Sequence, residues 1–226
     1  MQRYNTFTMI HKALRALLYD TALSLQQTYF ADASEAATAL QKIETVIHQF
    51  EQHTHHEKAH ILPAITAVEP QLAATFEKED EANGVLAKRL QQLLNIFRAT
   101  TLAEEKLVAG SAVVKAFHDF MLFHLEHMAK EEIELSPVLR THYTDEQLLE
   151  MNQHMVDSIS QEEKAISARW MMRGINKMEA ISWLKVLKQQ VPEPVFLSVY
   201  ALARTELPMH LRIEVQESVM EHHPIY

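Results

Sequence analysis

Cysteine is absent from the 226 residues, which excludes disulfides, thiolate metal sites and redox dithiols. Glycine is nearly as scarce, with Gly84, Gly110 and Gly174 the three in the chain. Runs that alternate β-branched and polar residues are few, whereas Ala, Leu, Gln, Glu, Lys and Met abound, so the chain reads as all-α. No block of Lys and Arg occurs and the formal net charge is −9, which argues against a nucleic-acid-binding face. Long apolar runs are missing too. Lys12, Arg15 and Asp20 interrupt the first helical pattern, and no stretch is long enough to span a bilayer. Cytoplasmic residence is the default expectation, without a membrane partner. Hydrophobic residues at 47% and charged ones at 23% are ordinary for a folded domain.

Histidine is what the chain has in excess, with 14 residues, and they cluster. The stretch His48 to Pro63, HQFEQHTHHEKAHILP, holds five of them beside Glu51 and Glu57. A second stretch, His118 to Pro137, reads HDFMLFHLEHMAKEEIELSP. Aligning the two prolines brings His53 over His127 and Glu57 over Glu131, each histidine ten residues ahead of its proline. Two His-x-x-x-Glu pairs at one offset are much less expected by chance than one. They point to facing helices of a bundle that hold a pair of metal ions between them.

The first helix is expected from Thr8 to Phe30, with Ile10, Leu14, Leu17, Leu18, Leu25 and Tyr29 as its stripe and His11 at the edge. A lone histidine there reads as a buried, hydrogen-bonded core residue. Asp32 or Ser34 caps a long second helix to about Ile65, buried through Ala37, Leu40, Ile43, Ile47 and Phe50. His53, Glu57 and His60 continue that side at i, i+4 and i+7. The third helix runs from about Gln71 to Thr100, and its charged run Glu77–Glu81 reads as a solvated face. The fourth spans about Ala103 to Leu139, with Val108, Val113, Phe117, Phe120, Met121 and Phe123 packing ahead of His124, His127 and Glu131. Beyond His142, segments near Glu146–Ser158, Glu162–Met172, Asn176–Gln190 and Val195–Val219 follow, broken by Gly174, Pro192, Pro194 and Pro208. Residues 1–142 are therefore expected as one bundle. Residues 143–226 form a helical extension that packs on it or contributes to a homodimer, with His154 and His210 as structural residues.

His11, the His53/Glu57 pair with Pro63, and His127-x-x-x-Glu131-Glu132 with Pro137 resemble the hemerythrin-like HHE cation-binding domain. The resemblance covers roughly Phe7 to Leu139. It implies an up-down four-helix bundle around an oxo- or hydroxo-bridged non-haem di-iron centre; zinc and manganese suit the same donors. Carried over, His11, His53 and His127 are terminal ligands, and Glu57 and Glu131 bridge. The family's third-helix histidine is missing here, where the chain reads EKEDEANGVL. Glu81 or Asp80 stands near the vacant place, with His56, His60, His124 or water as other candidates to complete the site. The function implied is binding or sensing of O2, NO, peroxide or redox state. Oxidase, peroxidase-like or iron–sulfur repair activity and a metal-free interaction module are the alternatives.

Overall fold

Two of the long helices start where the local sequence suits a helix N-terminus. Asp32 accepts hydrogen bonds from the backbone N–H groups of Ser34 and Glu35, at 2.9 and 2.8 Å, and so satisfies two amides that α2 (Ala33–His60) cannot. Pro70 opens α4 (Pro70–Ala99), where its missing N–H costs nothing. The structure, a computed structural model, describes residues 3–220. These are almost wholly helical, and no strand occurs among them.

α1 covers Thr8–Gln27 and ends before Tyr29, which is exposed rather than part of the buried stripe. The expected continuation of α2 to Ile65 is interrupted at Ile61: α2 stops at His60 and a short α3 (Leu62–Thr66) restarts. Pro63 explains the break, because it offers no N–H to the ladder and its ring crowds the carbonyl four residues back. After α5 (Ala103–Lys130) the chain passes through a π-helical turn, Glu131–Leu135, into α6 (Ser136–His142). Val108, expected to pack, is 73% exposed, so the inward face of α5 begins effectively at Gly110.

The chain divides into two compact units. Among the described residues, the first comprises residues 3–7 and 17–157, and the second residues 8–16 and 158–220, so α1 contributes to both. The first unit therefore continues beyond residue 142, through α7 (Asp145–Ser158). Leu148 of α7 joins a cluster with Phe7, Ile61, Leu62, Ile65, Phe76, Leu135 and Leu139, and the Tyr143 hydroxyl donates to the Ala64 carbonyl at 3.0 Å. Thr144 and Gln147 cap α7 reciprocally, each side chain accepting from the other's N–H. Farther along the same unit, Ile43, Val46, Leu90, Leu94, Val113 and Phe117 are fully buried.

The second unit contains α8 (Gln161–Gly174), α9 (Lys177–Gln190), α10 (Glu193–Glu206) and α11 (Met209–Met220). Ser160 and Asn176 start α8 and α9 with complete capping boxes. Met172, Leu184, Phe196, Leu207 and Val215 form its core. His154 of α7 and His210 of α11 are exposed. Gly174 is needed for a close approach, since a Cβ there would stand 2.3 Å from the backbone oxygen of Lys12. Backbone cannot swing aside as a side chain does. Gly174→Ala is expected to destabilise this unit by about 1–3 kcal/mol despite alanine's better helix propensity, read as a lower midpoint in chemical denaturation.

Candidate metal centre

Three helices carry the same pattern: an apolar stripe at three-four spacing that turns polar towards one end. On α2, Ala36, Leu40, Ile43, Ile47 and Phe50 lead to His53 and Glu57. On α5, Val113, Phe117 and Phe120 lead to His124, His127 and, in the π-turn, Glu131. On α4, Ala73 and Phe76 are followed by Asp80, and then Asn83, Ala87 and Leu90. Positions on such a stripe are carried to one side of their helix whether they are apolar or not.

The polar ends meet. One ligand atom from each of His53, Glu57 and Glu131 lies within 4.8 Å of the others, a group that could hold a metal ion. His11 is fully buried on α1, fewer than two turns before Leu17 along one unbroken helix. His53 Nε2 stands 3.3 Å from Glu57 Oε1 one turn ahead of it. His127 Nε2 stands 3.1 Å from Glu131 Oε1 in the same i, i+4 relation, and Glu131 is only 2% exposed. His127 is not one of that group and touches it through Glu131. Its Nδ1 lies 2.9 Å from Glu79 Oε2, and its Nε2 3.7 Å from Asp80 Oδ1. Lys58 pairs with Asp80 at 3.3 Å and Lys130 with Glu79 at 2.7 Å. A small cavity beside these groups, lined by Phe7, Glu57, Ile61, Phe76, Asp80, His127 and Glu131, has room for about one water-sized molecule.

An aromatic layer closes the apolar side. Phe50 and Phe120 meet edge to face at 5.7 Å, and the His124 ring sits 4.0 and 4.2 Å from them. His124 is 2% exposed, and its Nε2 has no hydrogen-bond partner among the described residues. Burial, together with His127 and His53 nearby, pushes its pKa well below the usual value, so it is a neutral imidazole.

Glu81, the carboxylate expected to stand in for the absent histidine, is exposed. Asp80, its neighbour, turns inward. The spacing of α4 accounts for this, because Asp80 falls between Phe76 and Asn83 on the buried stripe and Glu81 falls one position off it. The charged run is therefore a solvated face only at Glu77, Lys78 and Glu81. Glu79 was not singled out by sequence reasoning at all. Its link to His127 comes from the packing of α4 against α5, a distance of 48 residues along the chain, and no local signal announces it.

The carboxylates and imidazoles are electrically coupled. Burial works against a charge on His127, but its hydrogen bond to Glu131, the charge of Glu131, and Glu79 and Glu57 outweigh it and raise its pKa to about 9. Glu79 resists its own burial through Lys130 and His127 and is held below the ordinary carboxylate value. Burial raises the pKa of Asp80, opposed by Lys58 and His127. In the metal-free protein His127 is therefore an imidazolium at neutral pH.

A metal ion held by His127 would need its Nε2 lone pair and would have to displace that proton. Apparent affinity is expected to rise about tenfold per pH unit below pH 9 and to level off above it. Calorimetric titration with Zn2+ in buffers of different ionisation enthalpy should count about one proton released. The stability of the metal-free fold runs the other way. The raised pKa contributes fully below the unfolded value of about 6.5, and its contribution is lost as pH climbs through about 9.

The donor set is nitrogen and oxygen without sulfur, which suits iron, manganese and zinc. No family model, curated protein or solved structure matches the chain.

Proposed function

We propose that this chain is a hemerythrin-like, non-haem di-iron protein that binds or senses O2, NO or peroxide. The observation that carries this reading is the convergence of two His-x-x-x-Glu pairs, from α2 and from α5 with its π-turn, on one buried region. Four long helices, α1, α2, α4 and α5, follow one another with short connections, as an up-down bundle requires. His11, His53, Glu57, His127 and Glu131 would hold the ions, with Asp80 in the place of the absent third-helix histidine. Bound iron would supply one-electron chemistry toward a small diatomic ligand.

The protein's own contribution is preorganisation and exclusion of water. Phe50 and Phe120 keep solvent from one side, while the small cavity beside Glu131 leaves room for a small ligand. Lys58 and Lys130 offset the negative charge of α4 at the rim. The absence of thiols agrees with a site built on imidazole and carboxylate.

Anaerobic loading with Fe(II), metal analysis and an absorption spectrum in air test the reading. Two irons per chain and the charge-transfer absorption of a diferric pair are expected. Asp80→Ala should lower iron content and Glu81→Ala should leave it unchanged. A metal-free helical module is the second reading, favoured by the ion pairing of His127 with Glu131 and Glu79, which balances charge without any metal. Iron, zinc and manganese all far below one per chain after loading would establish that alternative.

A further inference from the structure

The proposed metal reading leaves one strong contact unused, the bond between His127 and Glu79. Glu79 is a carboxylate, so it only accepts, and the ring nitrogen facing it at 2.9 Å must donate. This orients the imidazole: Nδ1–H points to Glu79, and Nε2 points the opposite way, toward Glu131 and Asp80. The ring plane is fixed as well. Phe123 stacks on it at 5.7 Å with planes 12° apart, and Phe76 lies against it at 5.6 Å. Lys130, one turn beyond His127 on α5, holds the other oxygen of Glu79 at 2.7 Å. Side-chain exposure falls steadily inward along this row, from 39% at Lys130 to 23% at Glu79, 8% at His127 and 2% at Glu131.

From this geometry, and resting on the metal reading above, we infer that Glu79 is the positioning residue for His127. It commits Nδ1 to donation, so that Nε2 is the nitrogen presented to the ion, and Lys130 secures Glu79 in that task. The arrangement is a carboxylate–histidine pair behind a ligand, whose loss weakens a metal site without removing a donor. It also gives α4 two adjacent carboxylates with separate roles: Asp80 faces the Nε2 side of His127 and Glu79 the Nδ1 side.

The test compares Glu79→Leu, Glu79→Gln and Lys130→Ala with the parent chain, using Zn2+ as a redox-inert probe and nitrogen-15 spectra of the histidine rings. The parent should show a slowly exchanging Nδ1–H resonance for His127 before metal is added, and Nε2 as the nitrogen perturbed on binding. Glu79→Leu should lose the resonance and bind Zn2+ about 10–100-fold more weakly. Glu79→Gln, which keeps an acceptor, should retain the resonance and most of the affinity. Lys130→Ala should fall between Glu79→Gln and Glu79→Leu. Circular dichroism checks that each variant is folded, and the glutamine variant carries the comparison if the leucine variant is not.

Parent-like Zn2+ affinity in folded Glu79→Leu would overturn the assignment, leaving Glu79 as a surface ion pair with Lys130. A parent chain that binds no metal yet shows the resonance would remove the metal reading while the orientation of His127 stands. A parent chain without the resonance overturns the inference whatever the metal content.

Discussion

Glu131→Ala is expected to leave the protein unable to retain metal through a desalting column, with affinity reduced by well over the roughly 10–100-fold that an outer-sphere partner controls. Glu131 has a ligand atom within 4.8 Å of those of His53 and Glu57, accepts from His127 at 3.1 Å and is 2% exposed. Its removal takes away a donor and the anion that keeps His127 in place. The metal-free state should suffer as well. Truncating one partner of a buried ion pair costs about 3–5 kcal/mol where the remaining charge cannot escape, and His127 can escape only by losing its proton. Glu131→Gln separates the two effects. It keeps the volume and an acceptor, so it should restore much of the metal-free stability while leaving metal retention poor. Metal analysis beside thermal denaturation reads both. Retention of metal by Glu131→Ala at the parent level would mean that the group does not act as a ligand set.

Phe50→Ala is expected to cost about 3–5 kcal/mol of stability, from the buried area removed and the cavity left. Phe50 is 1% exposed and touches Phe120, His124 and His53, so the cavity would open beside the polar ends of two helices rather than deep in the apolar core. Water entering there could solvate His124 Nε2. The same substitution should therefore raise the pKa of His124 toward the ordinary imidazole value, since burial is the main cause of its depression. Denaturant unfolding gives the first quantity, and proton NMR of the His124 ring gives the second. A substantial loss of stability with an unmoved His124 would show that the cavity collapses dry.

Much of this was legible along the chain, for a physical reason. Helical spacing alone puts His53 and Glu57 on the continuation of the stripe that ends at Phe50, and His127 and Glu131 on the one that passes through Phe120. The same rule, applied with equal care to α4, would have selected Asp80 instead of Glu81, because 73, 76, 80 and 83 keep step and 81 does not. What obscured it was composition: a run of four acids and a lysine looks solvated as a block, although a helix sorts its members to different sides. Glu79 was out of reach for a different reason. Its partner arrives from another helix, and such distant pairing leaves no trace in local spacing. The sharing of α1 between two units was equally hidden, because its stripe shows which side is buried but not against what.

The π-helical turn separates the two motifs that look alike on paper. Pro63 and Pro137 sit at equal distances from their histidines, yet the first chain end breaks at Ile61 and restarts, whereas the second stays continuous by widening over Glu131–Leu135. Such a turn holds one residue more than an ordinary helical stretch and so retards the phase of everything downstream by about 100°. Within the turn Ile133 is 72% exposed, while Leu135 and, beyond it, Leu139 are buried. The extra residue that the turn accommodates therefore sets which side α6 presents to Phe7 and Leu62.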